Sequence, residues 1–185
     1  MNTRLLDENI AYTGAQLRSG WVKETAGLAG DAAVAFFGPC DVAPEHMVDR
    51  EDLEAGARIA SPRMLHLIVE HPHLDLGRIT LQQRLLMAIA GEIINRNLGE
   101  SLLRRSGDDL YLRDRKLSVS VATTGPASGL IHSGFNLTGE GAPVAAIGLE
   151  ELGIEPRRFA EDLLRAYAAE IEGARAAAQK VRPVE

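Results

Sequence analysis

The stretch Gly107–Thr123, GDDLYLRDRKLSVSVAT, decides how the chain is read. Leu117, Val119 and Val121 alternate with Ser118, Ser120 and Ala122, the period of a strand with one buried face. Asp109–Leu112 and Arg115–Thr123 flank a tight Arg113-Asp114 turn, which reads as a hairpin. Asp108 and Asp109 open its first arm, and Lys116 stands at the start of the return arm. Asp109 faces two readings, as an orienter of Lys116 or as a surface partner of Arg104 or Arg105.

Outward from the hairpin, Thr80–Leu98 reads as the clearest helix. Thr80 with Gln83 makes a capping box, and Gly99 supplies the stop. Leu81, Leu85, Ala88, Ile89, Glu92 and Ile93 form its expected stripe. Asp31–Gly38, Met64–Glu70 and Leu130–Leu137 are apolar runs of strand length. The second puts His66, Ile68 and Glu70 on one face. Asn9–Leu17 reads as a strand or turn broken by Gly14 and Gly20, and Pro39–Pro62 as a loop with one helical turn near Arg50–Gly56. Pro156 opens a last helix to about residue 178, with Phe159, Leu163, Leu164, Tyr167 and Ile171 as its stripe. Strands and helices are segregated, which predicts an α+β class: a mainly antiparallel sheet with helices on one side, in a single domain over residues 1–185.

Bulk properties narrow the function classes. A net charge of −6 with no dense Lys/Arg run disfavours nucleic acid as partner. No apolar stretch approaches the ~20 residues of a membrane span. The lone Cys40 allows no internal disulfide, and Met1–Asn9 has no apolar signal region, so a cytoplasmic location is expected.

Several residues could carry chemistry. Cys40 is a candidate acyl carrier or substrate contact, although Asp41 and Glu45 beside it would raise a thiol pKa. His46, His66, Glu70, His71 and His73 with Asp41 and Asp49 hold no recognised metal spacing, so a polar cleft lining is expected and no metal. Arg18 and Trp21 read as a cation and an aromatic wall near a ligand. His132 and Asn136 lie on one strand and read as a polar pair on a sheet face.

Gly107–Thr123 resembles the biotin protein ligase segment in which an Asn-Asp pair starts a strand, a short turn follows and a lysine opens the return strand. Leu130–Leu137, Ile147–Ile154 and the Pro156 helix are similar to the later elements of those ligases, and the Thr80 helix to their central helix. The chain as a whole resembles a prokaryotic family, domain of unknown function 366. Leu6–Trp21, Gly38–Asp49, Met64–His71 and Arg104–Thr123 carry that likeness. The ligase resemblance implies a biotin/lipoate-ligase-like, class II synthetase-like fold and a homodimer. It also implies a small carboxylic or acyl substrate, with Lys116 stabilising its charge and Asp109 or Asp108 orienting the lysine. Arg18, Trp21, Cys40, His66, Glu70 and His132 complete the expected substrate contacts.

One departure stands out. Where those ligases wrap an adenylate with a glycine- and arginine-rich loop, this chain has Pro39-Cys40-Asp41-Val42-Ala43-Pro44-Glu45-His46, which is acidic and has no phosphate cradle. Three functions stay open: an acyl or cofactor transferase, a non-catalytic small-molecule-binding module, and a metal-assisted hydrolase using the His/Asp/Glu set. The cofactor is unknown at this level.

Overall fold

The computed structural model describes residues 1–184. In chain order its elements are β1 (Asn2–Asn9), α1 (Trp21–Ala26), β2 (Ala32–Asp41), α2 (Arg50–Glu54), β3 (Ala60–Pro72), α3 (Leu76–Leu98), β4 (Leu103–Ser106), β5 (Asp109–Leu112), β6 (Arg115–Lys116), β7 (Ser118–Thr124), β8 (Ser128–Asn136) and α4 (Pro156–Gln179), with short 3-10 turns at Pro44–His46 and Glu150–Leu152. The fold class is the expected one: a mainly antiparallel sheet carrying helices.

A five-stranded sheet runs in the order β1-β2-β3-β8-β7, and β4-β5-β6 form a small second sheet. Only β1 joins β2 in parallel; the other neighbours in the large sheet are antiparallel. β2 and β3 are central and read as nearly continuous apolar runs because both their faces are covered. Leu65, Leu67, Val69, Ile131 and Phe135 point to one face and pack under α3 and α4 in the main core. Val34, Phe36, Met64 and Ile68 point to the other, where Tyr12, Trp21 and Val22 cover part of it. The two long helices therefore share one face, while the short α1 lies on the opposite one.

Four local expectations are corrected. The first strand is Asn2–Asn9, upstream of the expected Asn9–Leu17, and the latter is an irregular loop touching β2 through a Tyr12–Cys40 bridge. β1 was hidden by its charge: it is a sheet edge, and of its residues only Leu6 is fully buried. Helix α3 begins a turn earlier than Thr80. Asp75 is its N-cap, accepting from Arg78 N at 2.9 Å, whereas Thr80 Oγ1 donates to Leu76 O inside the helix. Its buried stripe is accordingly Ile79, Gln83, Leu86, Met87, Ala90, Gly91, Ile93 and Ile94, and Leu81 is 71% exposed. Finally, Arg115–Thr123 is not one strand. The chain leaves the small sheet at Lys116 and joins the large one at Ser118, with Leu117 buried at the changeover.

The Arg113-Asp114 turn forms where expected, with Arg113 in the left-handed region at φ 55°. Gly99 caps α3 at φ 74°, and Pro156 opens α4 with the whole expected stripe buried. Gly38 is required by a close approach: a Cβ there would lie 2.0 Å from Ile10 O, where the N-terminal loop crosses β2.

Candidate functional site

On the sheet face away from α3 and α4 lies a cleft of about 320 Å³. Its floor is Met64 of β3, His132 and Asn136 of β8, and Val119 and Val121 of β7. These share a face because the register places Val119 opposite Gly134, Val121 opposite His132, and Met64 opposite Asn136. The β5–β6 hairpin contributes Asp108, Asp109 and Lys116 to one wall. The segment with α2 contributes the facing wall, including Asp52 and Ile59, and Ser61 at the start of β3 adjoins it.

Lys116 is held at its backbone from two sides. It pairs with Tyr111 in the hairpin and forms a bridge with Ala146, with Lys116 N donating to Ala145 O at 2.9 Å. Its carbonyl accepts from Ile147 N at 3.1 Å and Asn136 Nδ2 at 3.3 Å. The side chain is half-buried, with Nζ 2.8 Å from Asp109 Oδ2. Burial acts to lower the lysine pKa. The hydrogen bond and charge of Asp109 outweigh it, with Tyr111 and Asp52 adding, and leave it above the ordinary value. Burial pushes the Asp109 carboxyl up even though Lys116 pulls it down. The result is a firmly charged ammonium against a carboxylate made more basic by desolvation. Asp109 thus meets Lys116, not Arg104 or Arg105. Asp108 is turned to α3, where Gln83 Nε2 donates at 3.0 Å and Arg84 Nη1 at 3.1 Å.

Under the other end of the floor is a buried aromatic stack. The Tyr12 ring lies 3.6 Å from that of His132, and His132 Nε2 is 3.1 Å from His66 Nδ1. His66 Nε2 is 3.3 Å from Gly38 O, a carbonyl, so it carries the proton. His66 Nδ1 then accepts, and His132 Nε2 donates to it. This leaves His132 Nδ1 bare, with no hydrogen-bond partner among the described residues. Burial lowers the His66 pKa to about 4. It holds His132 well below the ordinary range, with the neighbouring His66 adding to the effect. Both rings are neutral near pH 7.

The structure brings Lys116, Asp109, Asp108 and His132 to one cleft, with His66 directly beneath. It does not bring Arg18, Trp21, Cys40 or Glu70 to its lining. Arg18 is exposed and pairs with Glu24, Nη1 donating to Oε1 at 3.0 Å. Trp21 is buried against Phe36. Glu70 Oε1 accepts from Gly20 N and Ser128 Oγ, each at 2.8 Å, and ties the α1 entry to β8. Cys40 is buried, and desolvation with the charge of Asp41 pushes its thiol up to about 12, so it is no thiolate near neutral pH. The histidines scatter. His46 lines the cleft. His71 sits on the opposite face between Asp31 at 2.7 Å and Tyr167 at 3.1 Å. Among the described residues no group of three or more His, Cys, Asp or Glu could hold a metal ion. Sequence reasoning missed Tyr12, Asp52 and Ser61, which carry no spacing signal and meet only when the N-terminal loop, α2 and β3 come together.

A family model described as "Domain of unknown function (DUF366)" matches residues 1–182. The chain belongs to the DUF366 family. An uncharacterized protein of Methanocaldococcus jannaschii is 36% identical over 179 residues, covering 93% of this chain and 80% of that protein. A solved protein of unknown function from Pyrococcus horikoshi is 41% identical with a TM-score of 0.94, over 100% of this chain and 99% of that one. The DUF366 fold is also that of biotin protein ligase. The Aquifex aeolicus enzyme, solved with biotin and ATP, superposes with a TM-score of 0.59 at 10% identity, over 92% of this chain and 70% of that one. A candidate lipoate protein ligase from T. acidophilum with bound lipoic acid gives 0.54 at 13% identity, over 93% and 86%. At such identities the likeness concerns the fold alone. No helix among the described residues of this DUF366 chain is long and apolar enough to cross a membrane.

Proposed function

We propose that the cleft binds a small carboxylic or acyl molecule and that the protein is an acyl or cofactor transferase in which Lys116 stabilises the negative charge on the reacting group. The observation that carries this reading is the placement of Lys116: a charged, half-buried ammonium fixed at its backbone from two sides and opening on a largely apolar cleft. A preorganised point charge in such a setting stabilises an acyl oxyanion far more than it would in water. Asp109 positions the ammonium. The acidic segment Pro39–His46, at the end of β2 and just beyond it, supplies no phosphate cradle, which favours a preactivated acyl donor over adenylation with ATP. The same absence supports a second reading, a binding module that keeps the cleft without turnover. In either case we take the chain as a single-domain cytoplasmic protein and a homodimer. Its β7 strand is paired on one side only, and an open strand edge is a common dimer surface.

The test is native mass spectrometry with a thermal-shift screen of biotin, lipoate, octanoate, acyl thioesters and ATP, on the wild type and on Lys116→Ala. A stabilising acyl compound whose effect is lost in Lys116→Ala supports the reading, and acyl transfer to a carrier separates the transferase from the binding module. An acyl compound that stabilises both proteins equally would remove Lys116 from the site. Native spectra also report the oligomeric state.

A further inference from the structure

The polar groups of the cleft are unevenly matched. Of its cationic and amide donors, Asn136 Nδ2 is spent on Lys116 O, Lys116 Nζ is paired with Asp109, and the exposed Arg58 is turned to Asp41 at 3.6 Å. Several of its acceptors remain free, although Asp108 and Asp49 are engaged. The Asp52 carboxylate, half-buried on α2, makes no ion pair or hydrogen bond among the described residues. It stands close enough across the cleft for its charge to act on Lys116. Asp109 has Oδ1 unused, and His132 Nδ1 is bare. Ser61 is 5% exposed, and its Oγ is buried with no hydrogen-bond partner among the described residues. A buried hydroxyl without a partner costs free energy on the order of 1–3 kcal/mol. Ser61 belongs to the cleft wall, with its Oγ closed off from solvent.

We propose that the ligand carries a protonated amine beside its carboxylate, as an α-amino acid with an apolar side chain does. The carboxylate meets Lys116, the ammonium sits between Asp52 and Asp109, and the side chain lies along Val119, Val121 and Ile59. This rests on the carboxylate reading above and adds the amine to it. The charges require something of the kind. The lining holds Asp49, Asp52, Asp108 and Asp109 against Lys116 and Arg58, so a simple carboxylic acid would add a negative charge to a wall where carboxylates already outnumber cations. A zwitterion balances the group instead, and the short separation of Lys116 and Asp109 suits the adjacent amine and carboxylate of an α-amino acid. A site built of acceptors also rejects an analogue that lacks the donor, because its own polar groups then stay unpaired.

Calorimetric titration of the whole protein with L-2-aminooctanoate, L-2-hydroxyoctanoate and octanoate tests this. The amino compound is expected to bind at least about tenfold more tightly than the other two. Asp52→Asn, on the short helix α2 outside the core, is expected to abolish that preference and leave octanoate binding unchanged or improved. Asp52→Glu is expected to restore the preference in part. Lys116→Ala is expected to weaken all three. Octanoate binding as tightly as the amino compound would overturn the amine and leave the carboxylate reading standing. No binding of any of the three would overturn both.

Discussion

The two faces of the five-stranded sheet are made by alternate residues of the same strands, and they are built to different ends. Under α3 and α4, Leu65, Leu67, Ile131 and Phe135 sit in the main hydrophobic core, and the buried polar side chains there, His71, Gln83 and Ser133, each have hydrogen-bond partners within the protein. Across the sheet, the intervening residues of the same strands include His66, His132 and Asn136, which meet a tyrosine, a carbonyl and a cleft. One face contributes stability through close packing. The other spends part of it, because neutral buried imidazoles and an orphan hydroxyl cost free energy that only a ligand or a tight hydrogen-bond chain offsets.

That contrast can be broken at its strongest point first. Phe135 is fully buried and packs edge-on against Phe159 at 5.2 Å between ring centroids. Phe135→Ala is expected to cost about 3–5 kcal/mol in urea unfolding, without changing ligand preference in the cleft. A loss below about 1 kcal/mol would mean that the helix face is not the close-packed one.

Each face carries a buried imidazole whose pKa burial lowers, His66 toward the cleft and His71 toward the helices, and His66 can be tested by itself. His66 has a folded pKa of about 4, below its ordinary 6.5. The unfolded chain therefore takes up a proton where the folded one does not. The stability this ring permits is complete above about 6.5 and is lost as pH falls toward about 4, a loss on the order of 3 kcal/mol. His66→Gln keeps a donor for Gly38 O and an acceptor for His132, and is expected to flatten that part of the denaturation-midpoint profile. An unchanged profile in His66→Gln would show that other groups, His71 among them, govern the acid limb.

Smaller effects sharpen the account of the helix that covers the closed face. Asp75→Ala removes the observed N-cap of α3 and is expected to cost about 1 kcal/mol. Thr80→Ala is expected to stay within about 0.5 kcal/mol of wild type, as is Leu81→Gln at its exposed site. The reverse order in thermal unfolding would restore the Thr80 capping box.

These substitutions fall where the sequence was hardest to read. Thr80 and Gln83 match a capping pattern, but Asp75 lies within reach of an earlier turn. A helix starts where an N-cap and tertiary packing coincide, and the buried Ile79 draws α3 back to include that turn. Gln83 is buried because Asp108 and Ser120 receive its amide at 3.0 and 3.1 Å, a reason invisible along the chain. The Pro156 helix had no such competition, and its stripe stands as expected. In the site, Lys116 and Asp109 could be paired from sequence because a two-residue turn forces the arms of a hairpin together. Arg18, Trp21, Cys40 and Glu70 could not be excluded, since their true partners lie up to 58 residues away in the case of Glu70 and Ser128.

From the sequence alone came the class of fold, the hairpin with its lysine, the last helix and the acidic segment that lacks a phosphate cradle. All of these rest on local rules: alternation, turn chemistry, capping and charge. Tertiary structure decided which face of the sheet was closed and which was open. It also decided that His132 would line a cleft while His71 would prop a helix, and that Asp52 and Ser61 would line the same cleft as Lys116. Such choices depend on contacts between segments far apart in the chain, where free energy is set by which groups exclude water together, and no local pattern encodes that.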